Sequence, residues 1–148
     1  MMMILAGRLV NLVVALSNVF GILFFRRVDP VTDAVVSLTI VASILMHLSD
    51  QKHGLPGIPP FNGYSRHLLW WDRIMAYMST LLVVGRLYGR WRMTPTPILG
   101  EIVATGSAGL VLMFVSEVVI TDQWVPFTVT HCAWHLLAYR TLSRVLAL

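Results

Sequence analysis

Thr130-His131-Cys132-Ala133-Trp134-His135-Leu136 stands near the head of the last long apolar segment of the chain. Two histidines four residues apart lie one turn above each other on the same face of a helix, so both rings can close on one metal ion. The segment reads as a membrane helix, where histidine is costly and marks a ligand, a pathway or a catalytic group. Taken alone, the pair also suits two packed or interfacial histidines. Other polar groups brought to the same depth would separate these readings.

The flanking chain fixes the class. Of 148 residues, 57% are hydrophobic and 12% charged, with a mean hydropathy of +0.75. Soluble domains carry about 25% charged residues, so this chain has too few to coat a globule. It reads as an all-α integral membrane bundle forming a single transmembrane domain. Five helices are predicted near residues 4–25, 31–48, 68–87, 97–120 and 124–147, each about long enough for a roughly 30 Å hydrocarbon core. A barrel would show short alternating strands instead. The first apolar run is too long for a signal-peptide core and reads as a retained helix. The lone Cys132 excludes an internal disulfide. The net charge of +4 comes from residues flanking apolar runs, with no basic block interleaved with aromatics, so no nucleic-acid partner is expected.

Between the helices, Arg26-Arg27-Val28-Asp29-Pro30 is expected to end the first one, with Thr32 or Asp33 as N-cap of the second. Residues 51–65 are dense in Gly and Pro and must be irregular. Residues 90–97 form another break, and Thr121-Asp122-Gln123 a tight turn. Arg26, Arg27, Arg86, Arg90, Arg92, Arg140 and Arg144 fall on one side of the membrane. Arg8, Lys52 and Arg66 fall on the other, with Arg73 just inside the next helix. The positive-inside rule then puts the C-terminus on the cytoplasmic or matrix side and the N-terminus outside.

On this frame His47 lies at the outer end of the second helix with Ser43 one turn deeper. Asp72 lies about two turns into the third, and His131 and His135 in the outer half of the fifth. Three helices thus bring polar groups to one depth, which insertion alone does not require. Three neutral imidazoles suit Zn2+, which keeps a fourth place for water and lowers its pKa to about 7. Asp72 is then a candidate general base, and Ser43 a donor to the oxyanion or a water-orienting group. Such a site near lipid suits hydrolysis of a lipid amide or ester.

Ser43-x-x-x-His47, Asp72 and His131-x-x-x-His135 together resemble the signature of the CREST superfamily of membrane hydrolases, which holds alkaline ceramidases and adiponectin receptors. The likeness is greatest to the branch of myomaker and GPI-processing phospholipases. Ser43 to Gln51 is similar to its second-helix motif, Tyr64 with Asp72 and Ser79 to its third-helix motif, and Thr130 to His135 to its last. The resemblance implies a zinc-dependent hydrolase with an outward or lumenal site, in the secretory pathway or plasma membrane; a mitochondrial inner membrane would also accord with the charge pattern. It makes His47, His131 and His135 metal ligands, with Ser43 and Asp72 catalytic. The family uses seven helices and this chain has room for about five. The missing pair would fall between the third helix and the last two.

Simpler roles compete. Asp72 can pair with Arg73 or Arg66 at the interface, and Ser43 can bond a backbone carbonyl. Asp50 reads as a helix-end charge, His53 and His67 as interface residues, and Glu117 as a packing, functional or snorkelling carboxylate. Gly85-x-x-x-Gly89 and Ala104-x-x-x-Ala108 offer close helix contacts. Trp70, Trp71, Trp91 and Trp124 suit an aromatic belt. Besides a hydrolase with lipids as partners, the alternative is a non-catalytic subunit of a larger membrane complex that keeps the metal site, with partner subunits replacing the missing helices.

Overall fold

A computed structural model describes residues 2–148. Five long helices make up the described residues, without strands: α1 (Met2–Leu23), α2 (Pro30–Ser49), α3 (Ser65–Arg90), α4 (Thr96–Val119) and α5 (Trp124–Leu146). α1, α2 and α4 are long and apolar enough to cross a membrane. α3 and α5 are more polar, because they carry the ionisable residues Arg66, Asp72, Arg73, Arg86 and Arg90, and His131, His135, Arg140 and Arg144.

α5 is the hub. It packs against α1, α3 and α4, and α2 packs against α1 and α3. Its buried face, Phe127, His131, His135, Tyr139, Leu142, Val145 and Leu146, advances in steps of three and four, one stripe of a 3.6-residue helix. Outward-facing large apolar residues such as Leu81, Leu110, Val111, Phe114 and Val129 are exposed. Were the bundle set in hydrocarbon, such residues would gain nothing by burial, and helix association would rest on close fit and polar contacts between helices.

The close fit is visible on α1. Its buried stripe Gly7, Asn11, Val14, Ala15, Asn18 and Gly21 is small or short and polar. Asn18 interrupts the helix for one residue, and its Oδ1 accepts the Tyr139 hydroxyl at 2.7 Å. At Gly21 an added Cβ would stand 2.7 Å from Ile40 Cγ1 and 2.8 Å from Tyr139 Cε1, so only glycine lets α1, α2 and α5 meet there.

The helix ends depart from expectation in particular ways. α1 stops at Leu23, ahead of the arginines, and Phe24 and Phe25 turn onto the cluster of Val36, Ile40, Tyr139, Leu142 and Leu146. Asp29, not Thr32 or Asp33, caps α2: its carboxylate accepts from Val31 N (3.1 Å), Thr32 N (2.9 Å) and the Thr32 hydroxyl (2.8 Å). Pro30 occupies the first helical position, where its fixed φ and missing N–H cost nothing, so the cap must precede it. Asp33 instead accepts from Val28 N at 3.0 Å. α3 runs to Ser65 and Arg90, several residues past the apolar core of that segment.

Two expected small-residue contacts are absent among the described residues. Nothing lies within 4 Å of a Cβ at Gly85 or Gly89, and Ala104 and Ala108 are exposed. The small-residue contact of α4 is made one face round, where a Cβ at Gly109 would lie 3.1 Å from the Trp134 ring and one at Gly106 3.5 Å from Thr141. Thr105 bonds Thr141 there at 2.8 Å. The positively charged end is tied by Arg86 to Asp29 (3.0 Å) and by Arg140 (2.8 Å) and Arg144 (3.1 Å) to Glu101.

Candidate metal centre

His47 from α2 and His131 and His135 from α5 meet in the interior, 2%, 4% and 5% exposed. Their ring centroids are 4.7 Å (47–131), 5.1 Å (47–135) and 4.8 Å (131–135) apart, each pair edge-on. One nitrogen of each ring lies within 4.8 Å of the others. Tetrahedral zinc with bonds of about 2.0–2.1 Å needs its nitrogens about 3.3 Å apart. The most distant pair must therefore close by at most about 1.5 Å, which side-chain torsions can supply.

The stronger test of fit is which nitrogen of each ring is free. Ser17 on α1 donates its one hydroxyl proton to Val14 O (2.7 Å), yet its oxygen lies 2.6 Å from His135 Nδ1. Ser116 on α4 likewise donates to Met113 O (2.9 Å) and lies 3.1 Å from His131 Nδ1. A hydroxyl has one proton, so with that proton on the carbonyl the serine accepts and Nδ1 carries the hydrogen. The neutral rings then keep their lone pairs on Nε2, the state a metal ligand requires. His47 makes no ring hydrogen bond among the described residues. The three residues fit Zn2+.

His47 is positioned through its backbone. Asn11, 1% exposed on α1, donates Nδ2 to the carbonyls of His47 (2.8 Å) and Asp50 (2.9 Å), satisfying the otherwise open end of α2. Asp50 is the C-cap, and its carboxylate accepts from Lys52 N at 2.9 Å. Burial raises its carboxyl above the ordinary range.

Ser43 is buried one turn below His47, and Asp72 of α3 faces it, with Tyr139 of α5 nearby. Among the described residues no hydrogen bond joins Ser43 to Asp72 or to the backbone and no ion pair joins Asp72 to Arg66 or Arg73, although Asp72 lies near both Ser43 and Arg73. His53 does more than sit at an interface. Its Nδ1 contacts Thr121 O (2.8 Å), its carbonyl accepts Trp124 Nε1 (2.8 Å), and its ring lies 4.5 Å from Phe127, which covers His131 at 5.2 Å. His67 is exposed.

Glu117, left open by the sequence, points inward. One oxygen lies 3.3 Å from His131 Nδ1 and the other 2.6 Å from Lys52 Nζ. Residues that sequence reasoning missed are Asn11, Ser17 and Ser116, all buried. A signal for the first existed: Gly7, Asn11, Asn18 and Gly21 repeat at helical spacing through an otherwise apolar run. A cavity of about 340 Å³ lies at the end of α2, lined by Met46, Ser49, Asp50, Lys52, Arg66 and Leu69 among others and by none of the three histidines.

No family model and no solved structure matches the chain. A protein of Acanthamoeba polyphaga mimivirus, "Uncharacterized protein L282", is 32% identical over 143 residues, an alignment spanning 84% of this chain and 88% of the viral one. At that identity and coverage, the chain belongs to one family with the mimivirus protein.

Proposed function

We propose that the chain is a multi-pass membrane protein, N-terminus outside, that holds Zn2+ on His47, His131 and His135 and hydrolyses an amide or ester bond in a lipid. The observation that carries this reading is the meeting of three buried histidines with serine oxygens on Nδ1 of His135 and His131, a pairing that leaves Nε2 of these two rings without a protein partner and available to a metal. Structural histidines need no such agreement. Placement in the CREST superfamily rests on the motifs around Ser43, His47, Asp72, His131 and His135 and on their meeting in one bundle.

Zinc, when bound, would polarise a water and lower its pKa to about 7. The chain's own groups do the rest. The Asp72 carboxylate accepts the proton from the attacking water and returns it to the leaving amine or alcohol. The Ser43 hydroxyl, beside Asp72, donates to the developing oxyanion. Phe127, His53 and Trp124 close the outer face against bulk water.

One observation favours a second reading. α3 and α4 follow each other in sequence but do not pack closely together among the described residues, leaving an unshared flank on each. Helices of a partner subunit would fit there, and the chain would then be a non-catalytic subunit that keeps the metal site.

Elemental analysis of the purified chain tests the first reading. About one zinc per chain is expected, lost in the His131→Ala, His135→Ala double variant. Turnover of ceramide-like and phospholipid substrates by the zinc-loaded chain, abolished in Asp72→Asn, completes it. A metal-free chain overturns the metal centre; a loaded chain without turnover, found only in a stable complex, favours the subunit.

A further inference from the structure

We infer that Glu117 is a positioning residue for His131, aimed by Lys52, so that the loop after α2 controls how tightly the centre holds its metal. This rests on the metal-centre reading above and adds a fourth element to it.

The last turn of α4 is widened, with Ile120 N bonded to Val115 O at 3.0 Å, five residues back. On a regular helix neighbouring residues point about 100° apart. In the widened turn Ser116 and Glu117 both reach the same atom, His131 Nδ1, at 3.1 and 3.3 Å. Such π turns are rare and occur frequently at functional sites. A carboxylate in the apolar run Val111 to Ile120 is expensive unless paired, and it is paired on both oxygens.

The pairing closes a circuit. Lys52 follows His47 by five residues, and its backbone N–H is held by the Asp50 carboxylate. Its ammonium reaches Glu117 at 2.6 Å, and Glu117 reaches His131. Two ligands, His47 and His131, are thus joined through the loop as well as through the centre. A carboxylate that accepts Nδ1–H fixes ring orientation and makes Nε2 a better donor to a cation. Lys52 offsets the charge and holds the rotamer, since a free Glu117 would turn toward water.

The test uses the full chain in detergent micelles, loaded with Zn2+ and titrated against a competing chelator. Glu117→Gln keeps the shape and removes the charge. Its zinc affinity is expected to fall about 10- to 100-fold. Lys52→Met, in a partly exposed loop, is expected to weaken zinc less and to add nothing in the Glu117→Gln background, since its effect passes through Glu117. The d–d spectrum of the Co2+-loaded chain is expected to shift in both single variants. A simple ion pair holding loop to helix would lower the melting temperature of the metal-free chain and leave affinity and spectrum alone. Parental affinity in Glu117→Gln, or independent effects of the two substitutions, overturns the inference. If Glu117→Gln does not fold, Lys52→Met decides: unchanged affinity overturns it. A parental chain that binds no zinc overturns the metal centre itself, a different result from a parental chain that binds and variants that bind equally.

Discussion

Asn11→Ala separates the packing of α1 from the chemistry it serves. The side chain is buried and spends both amide hydrogens on the last turn of α2, at 2.8 Å to His47 O and 2.9 Å to Asp50 O. After truncation, His47 O keeps a long contact from Asp50 N at 3.4 Å, and Asp50 O keeps no donor among the described residues. Interhelical hydrogen bonds in membranes average about 0.6 kcal/mol and reach about 1.7. A buried group left unsatisfied costs about 1–3 kcal/mol. One contact of the first kind and one of the second give a loss of about 2–5 kcal/mol, a fall of roughly 4–20 °C in melting temperature for a domain of this size. Tryptophan fluorescence of the micellar protein reads the melt, and elemental analysis reads the metal. Both should fall together, because the same turn carries His47. Asn11→Asp, which replaces the donor amide by a carboxylate facing two carbonyls, should be worse. A chain with Asn11→Ala that melts with the parent and keeps its zinc would refute the claim that α1 sets the position of His47.

Gly21→Ala should destabilise by about 1–3 kcal/mol, since the new Cβ meets Ile40 and the rigid Tyr139 ring; thermal melts should show part of the loss recovered by Ile40→Val. Gly85→Leu and Gly89→Leu, which meet nothing, should stay within about 0.5 kcal/mol of the parent in the same assay, whereas Gly109→Leu should not. Asp29 has its carboxyl held below the ordinary carboxylate range by the Thr32 backbone and hydroxyl first, and by Arg86 after them. Its capping contribution is therefore complete above the unfolded carboxylate pKa and lost as pH falls through the lower folded value. Hydrogen exchange at the start of α2 should rise in acid, and Asp29→Ala should show the faster exchange already at neutral pH.

Much of this was legible because hydrophobic runs and histidine spacing are local quantities. The run 31–48 became Pro30–Ser49 and 124–147 became Trp124–Leu146, and the meeting of His47, His131 and His135 followed from counting residues along them. Contacts that depend on rotation about a helix axis were harder. Gly85, Gly89, Ala104 and Ala108 have the right spacing for close packing, but the faces they share point away from the bundle. The N-cap was missed because two plausible cap residues follow Pro30, and only the proline's own geometry makes Asp29 the cap. Glu117 could not be oriented from sequence at all: a regular helix would separate it from Ser116, and the widened turn that unites them has no signature among its apolar or small neighbours.

The serines show why the site and the packing are one arrangement. Each bonds a carbonyl three residues back on its own helix, the ordinary way a short polar side chain is satisfied in an apolar run. That bond uses the only proton and leaves an acceptor facing α5, so docking α1 and α4 on α5 dictates the tautomers of His135 and His131. A bundle that packed α1 or α4 in another register would lose this agreement before it lost any ligand. α3 supplies neither a ligand nor one of these acceptors, only Asp72 beside Ser43. Helices inserted between α3 and α4, as the resemblance would have them, would thus leave the ligands and their holders untouched and bear on Asp72 alone. It follows that metal binding should survive in the five-helix chain by itself, and that any dependence on a partner should appear first in turnover, through the placement of Asp72.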